Sequence, residues 1–402
     1  MSVSFYDLMK YAKTGIASPE MTGFDKLRAR AAFGGYPVST ITGTPPISFK
    51  SDGKPLSAWS IAGAMQQDSV PSPDSPVVPQ ECGDRTANIM PSSAKTTTTL
   101  NGVTCTCNGL GTYTLKGTAS GFSQFVFILP EFTAPVSVGQ GGNGTFSMFN
   151  TFSNSNITVV LYNGSTKVDD WKTTPEYRTH TTYSAMSGKT INKIIINIAN
   201  GTAVDGRFSI MFTDDGQLPA AFQPFGYALP LTLSLSPTPI YLTEPLRKIG
   251  DYADSVSSDG TVTRRIKCID LGGLTWTTSN NVRYSASLDD GLIVPNTKIP
   301  PAICTHLPAK TADDLVRGYD GITTALNSHS ICFIHAASLE GLTTQQFQAA
   351  VTGWKLWYVL ATAQTETITA PTITTAKGAN TLTVDTTLQP SGVSITGNIK
   401  QA

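Results

Sequence analysis

Three pairs of adjacent carboxylates, Asp169-Asp170, Asp214-Asp215 and Asp289-Asp290, are the first residues of this 402-residue chain that could do chemistry. Two acids acting on a glycosidic bond must face each other across a cleft, about 5–9.5 Å apart. Neighbours on a strand point to opposite faces instead, and "TDDG" (213–216) after an alternating run reads as turn chemistry. Of the four histidines, His180, His306, His329 and His335, the last two are six apart, not the four-residue spacing of a helical metal pair. They are expected to be surface or packed residues. The six cysteines (82, 105, 107, 268, 304, 332) include Cys105 and Cys107, which would share one side of a strand. That spacing, about 7 Å, is too long for an easy bridge, so free and mostly core-packed thiols are expected. "GQGGNG" (139–144) lies between strands and does not open a helix, so it is a poor phosphate cradle. The residues therefore predict no catalytic group, no metal and no cofactor.

One cluster invites binding. "DDWKTTPEYRTHTTY" (169–183) holds Trp171, Tyr177, His180 and Tyr183 among hydroxyl and amide groups. Aromatic faces beside polar edges suit a sugar, whose C–H faces stack on rings while its hydroxyls hydrogen-bond. The alternative is that these rings only cover one edge of a sheet.

The elements that would position such groups are mainly β. Charged residues make up 14% of the chain, well below the roughly 25% of an average domain. Threonine, serine, asparagine and glycine replace them, as on pleated, half-exposed faces. Lys plus Arg and Asp plus Glu both number 28, and no basic stripe is visible, so nucleic acid is a poor partner. Zero net charge points instead to life within an assembly. No apolar run approaches 20 residues, so no membrane insertion is expected. Asp7 and Lys10 interrupt the apolar run a signal peptide needs, and synthesis and folding in a cytoplasm is the expectation.

Along the chain, residues 1–35 read as helical, with Phe5, Leu8, Met9 and Ala12 on one stripe. From 41 the pattern becomes β, and "SVPSPDSPVVPQECGD" (69–84) is too rich in proline for a helix or central strand. The most regular block, 86–216, has strands every 8 to 15 residues. A turn is expected at Asn108-Gly109, and Phe208, Ile210 and Phe212 alternate with polar or neighbouring-face positions. This predicts a two-sheet sandwich or jelly roll. Residues 272–357 mix strands with helical spacing, and Thr343 with Gln346 makes a capping box. At the end, Leu382 and Val384, then Val393 and Ile395, alternate with polar residues on two strands expected to form a hairpin.

The segments "TGTPPISFKSDGKPLSAWSIAGAM", "ECGDRTANIMP", "AFQPFGYALPLTL", "PIYLTEPLRKIGDYADSV", "WYVLATAQTETITAPTI" and "KGANTLTVDTTLQPSGVSI" resemble, in the same order, tail-associated structural proteins of phages and prophages of gut Firmicutes. "GVTCTCNGLGTYTLKGTA" looks like the first hairpin of their carbohydrate-binding-module-like jelly roll. The resemblance covers most of 41–402 and carries no catalytic signature. It implies a β-sandwich inserted in a discontinuous β scaffold: a helical anchor (1–40), scaffold (41–85), sandwich (86–216), scaffold (217–271), a mixed α+β insertion (272–357) and C-terminal hairpins (358–402). It implies a non-enzymatic virion protein of tail, baseplate or receptor-binding type. Its partners would be further copies of itself, as a trimer or hexamer, other virion proteins and host-surface glycan. A head or neck fibre and a surface-polysaccharide depolymerase are the alternative expectations. The threonine-faced C-terminal strands are expected to offer backbone edges to neighbours in the assembly.

Overall fold

The computed structural model describes residues 9–10, 36–91, 93, 95–109, 111–133, 145–152, 156–172, 178–181, 190–213 and 221–402. Of the helical anchor expected over 1–40, most lies outside these; Met9 and Lys10 are helical, but its end is not, because residues 38–40 belong to the strand Val38–Gly43. The protein is mainly β and multidomain. Besides that fragment, the described α-helices are two short ones, Ala312–Val316 and Thr344–Ala350. The chain divides into two compact units, one made of residues 1–84 and 228–402, the other of 85–227.

The 85–227 unit is a two-sheet β-sandwich. Four antiparallel strands run in the order Ser123–Thr133, Thr190–Ile198, Ile157–Asn163, Thr166–Lys172. Six more run Arg178–Thr181, Thr145–Asn150, Ala203–Thr213, Thr112–Thr118, Val103–Gly109, Thr98–Leu100. Alternation decides what faces inward: Phe208, Ile210 and Phe212 all enter the core, with Phe125, Phe127, Val159 and Ile196 from the other sheet. Phe208 lies at the centre, stacked with Tyr113 at 5.2 Å and edge-on to Phe127 at 5.9 Å. The expected turn at Asn108-Gly109 falls slightly later, because a bulge between Cys107 and Gly109 carries the strand on to Gly109. The unit also extends past 216. Phe222 packs edge-on against Phe149 at 6.1 Å, and the Gln223 carbonyl accepts from Asn88 Nδ2 at 3.0 Å.

The scaffold is built on a long antiparallel sheet that uses both ends of the described chain. Its central order is Tyr227–Leu233, Lys377–Val384, Ile47–Asp52, Gly392–Gln401, Ala58–Ala62, Ser255–Ser257, Thr261–Asp270, Lys355–Thr367. The two C-terminal strands therefore do not form the expected hairpin. Ile47–Asp52 lies between them, with its fully buried Phe49 opposite Asn380 on one side and Gln401 on the other. Period-two alternation specifies which face is buried, and says nothing about which strand is the neighbour. Much of the edge of these strands is thus paired within the chain, Leu382–Val384 with Leu231–Leu233, Lys377–Leu382 with Ile47–Asp52, and Gly392–Asn398 with Ala58–Ala62 and Val38–Gly43. Two of the sheet's outer strands are blunted. Ser236–Leu242 carries Pro237 and Pro239. Beside Ala302–Cys304, the Val77 N–H donates to the Thr305 carbonyl at 2.7 Å, and Gln67 Nε2 donates to that of Cys304 at 3.0 Å.

Residues 272–357 contribute a four-stranded sheet and the two helices, and share one core with the strand Lys355–Thr367. The run "LWYVL" (356–360) is apolar throughout because both of its faces are covered: Leu356, Tyr358 and Leu360 face one cluster, Trp357 and Val359 another. The capping box at Thr343 is present. Thr343 Oγ1 accepts from the Gln346 N–H, while Gln346 Oε1 accepts from the Thr343 N–H at 2.9 Å.

Candidate functional site

The aromatic cluster read from the sequence is not brought together by the sheets. Trp171 is on the four-stranded sheet, opposite Val159. His180 is on the edge strand of the other sheet, opposite Phe146. The two are nine residues apart in sequence but on different sheets. Tyr177 and Tyr183 lie outside the described residues, as does Asp214-Asp215.

The outer face of the four-stranded sheet is the better-formed surface of this unit. Register sets its side chains in rows across the strands. Gln124, Asn197 and Thr158 form one row, with Gln124 Nε2 donating to Asn197 Oδ1 at 3.2 Å. Val126, Ile195 and Val160 form an apolar row beside it, in which Ile195 and Val160 are buried at 6% and 5% exposure. Ile128, Lys193 and Tyr162 form a third, with Ile128 61% exposed and Lys193 Nζ 4.6 Å from the centre of the Tyr162 ring. Amides at one end and a tyrosine ring at the other are four strand positions apart, about 13 Å, the reach of two or three sugar rings. The six-stranded sheet's outer face has a different character. It carries threonine pairs such as Thr99–Thr104 at 2.9 Å and the exposed Lys116–Asp205 pair.

The scaffold holds a second feature that the sequence reading missed. Arg264 pairs in register with Gln364 and Ile266 with Val359, so a single residue faces four, 360–363. The diverted chain turns to the 290–292 segment: the Ala361 N–H donates to the Asp290 carbonyl at 2.9 Å, and Leu360 bridges Gly291. The gap is a polar cleft of about 290 Å³ lined by Thr243, Glu244, Arg264, Lys267, Gln364 and Glu366, among others. Arg264 sits at an inward position between Val262 and Ile266, and a charge in that alternating pattern was the available signal. Its guanidinium donates to Glu366 Oε1 at 2.6 and 2.9 Å and to the carbonyls of Glu244 and Pro245. Behind it, fully buried Asp254 accepts N–H groups from Arg247, Arg265 and Ile266. Burial pushes the Asp254 carboxyl up, and those donors with the Arg264 charge pull against it. Arg247 in turn holds Glu81 and Glu244. Both carboxylates lining the cleft are thus tied to arginines.

The other groups weighed for chemistry take structural roles. Asp170 is ion-paired with Lys167 at 2.6 Å, and Asp290 accepts from Lys267 Nζ and Tyr358 Oη, each at 2.6 Å. His306 stacks flat on Trp354 at 4.3 Å, and burial lowers its pKa. His335 is buried with Glu340 3.1 Å from Nε2 and Asp320 3.3 Å from Nδ1. All six cysteines are free. Burial pushes Cys82 up to about 12 and Cys105 and Cys268 up to about 11, which keeps them as thiols and so poor nucleophiles. Comparison with protein-family models gives no match for this chain, and comparison with the curated proteins gives none either.

Proposed function

We propose that this chain is a non-enzymatic structural component of a bacteriophage particle, oligomeric and of tail, baseplate or receptor-binding type. In this reading the scaffold assembles and the sandwich attaches to host-surface glycan. The sequence resemblance supports the virion assignment. The observation that carries the attachment role is the outer face of the four-stranded sheet. It sets an amide pair at one end and the exposed Ile128 with the Tyr162–Lys193 pair at the other, at sugar-length spacing, on a module with its own core. Single sugar contacts of this kind are weak, and copies joined in one particle reinforce one another.

The test is retention of the purified full-length protein on host cell walls. Tyr162→Ala and the Gln124→Ala/Asn197→Ala pair each reduce retention about tenfold, at unchanged folding, if the face binds glycan. Unchanged retention in both variants removes that face from the reading. The depolymerase alternative has one observation in its favour, that Glu244 and Glu366 line one cleft. It requires the protein to release soluble fragments from wall polysaccharide and Glu366→Gln to abolish that release.

A further inference from the structure

The strand Val38–Gly43, "VSTITG", pairs along its whole length with Gly392–Gln401, and among the described residues no strand lies on its other side. Exposed edges in natural sheets carry lysine, proline, a bulge or a covering segment. The scaffold's other outer strands have such devices, prolines on Ser236–Leu242 and the 67–77 strap on Ala302–Cys304. Val38–Gly43 has no proline, no charge and an unbroken register, and four of its six residues are β-branched. Among the described outer strands of the long sheet, it is the one without such a device.

We propose that this edge receives the same strand of a second copy, antiparallel about a two-fold axis through Thr40. The strand has no charge with which to select a charged partner, and the chain's 28 basic and 28 acidic residues cancel, so no net charge drives copies apart. Register supports the pairing as well. Centred on Thr40, it sets Val38 against Thr42 and Ser39 against Ile41, each pair drawn from the same side of the strand's alternating exposure. On the exposed side, Thr40 already meets Thr396 at 2.8 Å and Thr42 meets Ser394 at 3.5 Å. A second copy extends this hydroxyl row across the axis, and cross-strand threonine pairs are a stabilising unit of sheets. The inference names the contact behind the oligomeric part of the proposed function and does not depend on glycan attachment.

Light scattering on the full chain over a concentration series reads the outcome. The wild type gives dimers or multiples of dimers, and Thr40→Lys/Thr42→Lys, which places like charges face to face, raises the dissociation constant at least tenfold. Thr106→Lys/Thr114→Lys, on the sandwich's outer face, leaves it unchanged. Thr40→Cys under mild oxidation gives a covalent dimer through that residue, identified by peptide mapping. A wild type monomeric at every concentration overturns the proposal. So does an oligomer indifferent to the Thr40/Thr42 lysines, since the edge is then covered by another segment or partner. Dissociation also removes avidity, so retention on cell walls is read in the wild-type background, where its dependence on Tyr162 reports the attachment reading whatever the outcome at Thr40, and the two failures are distinguishable.

Discussion

The sandwich and the scaffold are both antiparallel β structures with apolar cores, yet among the described residues the buried arginines and aspartate lie in the scaffold alone. The sandwich core is aromatic and aliphatic, with Phe208 touching Tyr113, Phe127 and Phe152. All of its described core comes from one continuous stretch. The scaffold joins residues 38–62 to 377–401, and beside apolar clusters of its own it buries an ionic network, with Asp254, Arg264 and Arg247 buried and Glu81, Glu244 and Glu366 around them. A hydrophobic interior tolerates many arrangements of similar volume. A buried charged network is satisfied by few, and breaking it leaves uncompensated charge. The difference teaches that the sandwich carries its own specification, whereas the scaffold needs distant segments to meet in one register.

The largest expected effect tests the ionic side. Asp254→Ala strands three buried N–H groups and Arg264, and is expected to destabilise the scaffold by about 3–5 kcal/mol. Hydrogen-exchange mass spectrometry reads this as lost protection of scaffold amides, with those of the sandwich unchanged. Leu115→Ala is the mirror experiment. It opens a cavity in the sandwich at a cost of about 2–5 kcal/mol, and protection falls only within 85–227. If either substitution lowers protection equally in both units, the contrast fails.

Smaller effects sharpen it within the scaffold. Thr343→Ala removes a capping box and costs about 1 kcal/mol, read as an earlier chemical-denaturation midpoint. The pH response has a definite sign. His306 is lowered in the fold by burial, so its contribution is present above its unfolded value of about 6.5 and is lost as pH falls through the folded one. Burial alone would raise Asp270, but Lys355 and the N–H groups of Gly353 and Gly272 outweigh it and hold the carboxyl below its ordinary range. Its contribution is lost on further acidification below about 3.8, while Asp254, raised by burial, works in the opposite sense, its contribution present below about 3.8 and lost as pH rises above it. Denaturation midpoints across pH are expected to show the first loss in the wild type and its absence in His306→Phe.

The mainly β class was legible because alternation is a local property. Phe208, Ile210 and Phe212 announced a core face, and Thr343 with Gln346 announced a helix start. Pairing was not legible. Nothing local in 377–401 reveals that Ile47–Asp52, more than 300 residues earlier, comes between the two final strands. The site reading met the same limit. Trp171 and His180 are close in sequence, but the chain changes sheet between them. Val160 and Ile195, which build the outer apolar row, looked like ordinary core residues in runs of apolar neighbours. Arg264 was the one residue whose position inside an alternating strand could have been noticed.

The account rests on attachment without turnover, and incubating the full-length protein with purified host cell-wall glycan tests it most directly. The expected result is protein retained on the insoluble wall with no new reducing ends and no soluble fragments in the supernatant. Fragments that accumulate with time and protein concentration would contradict it.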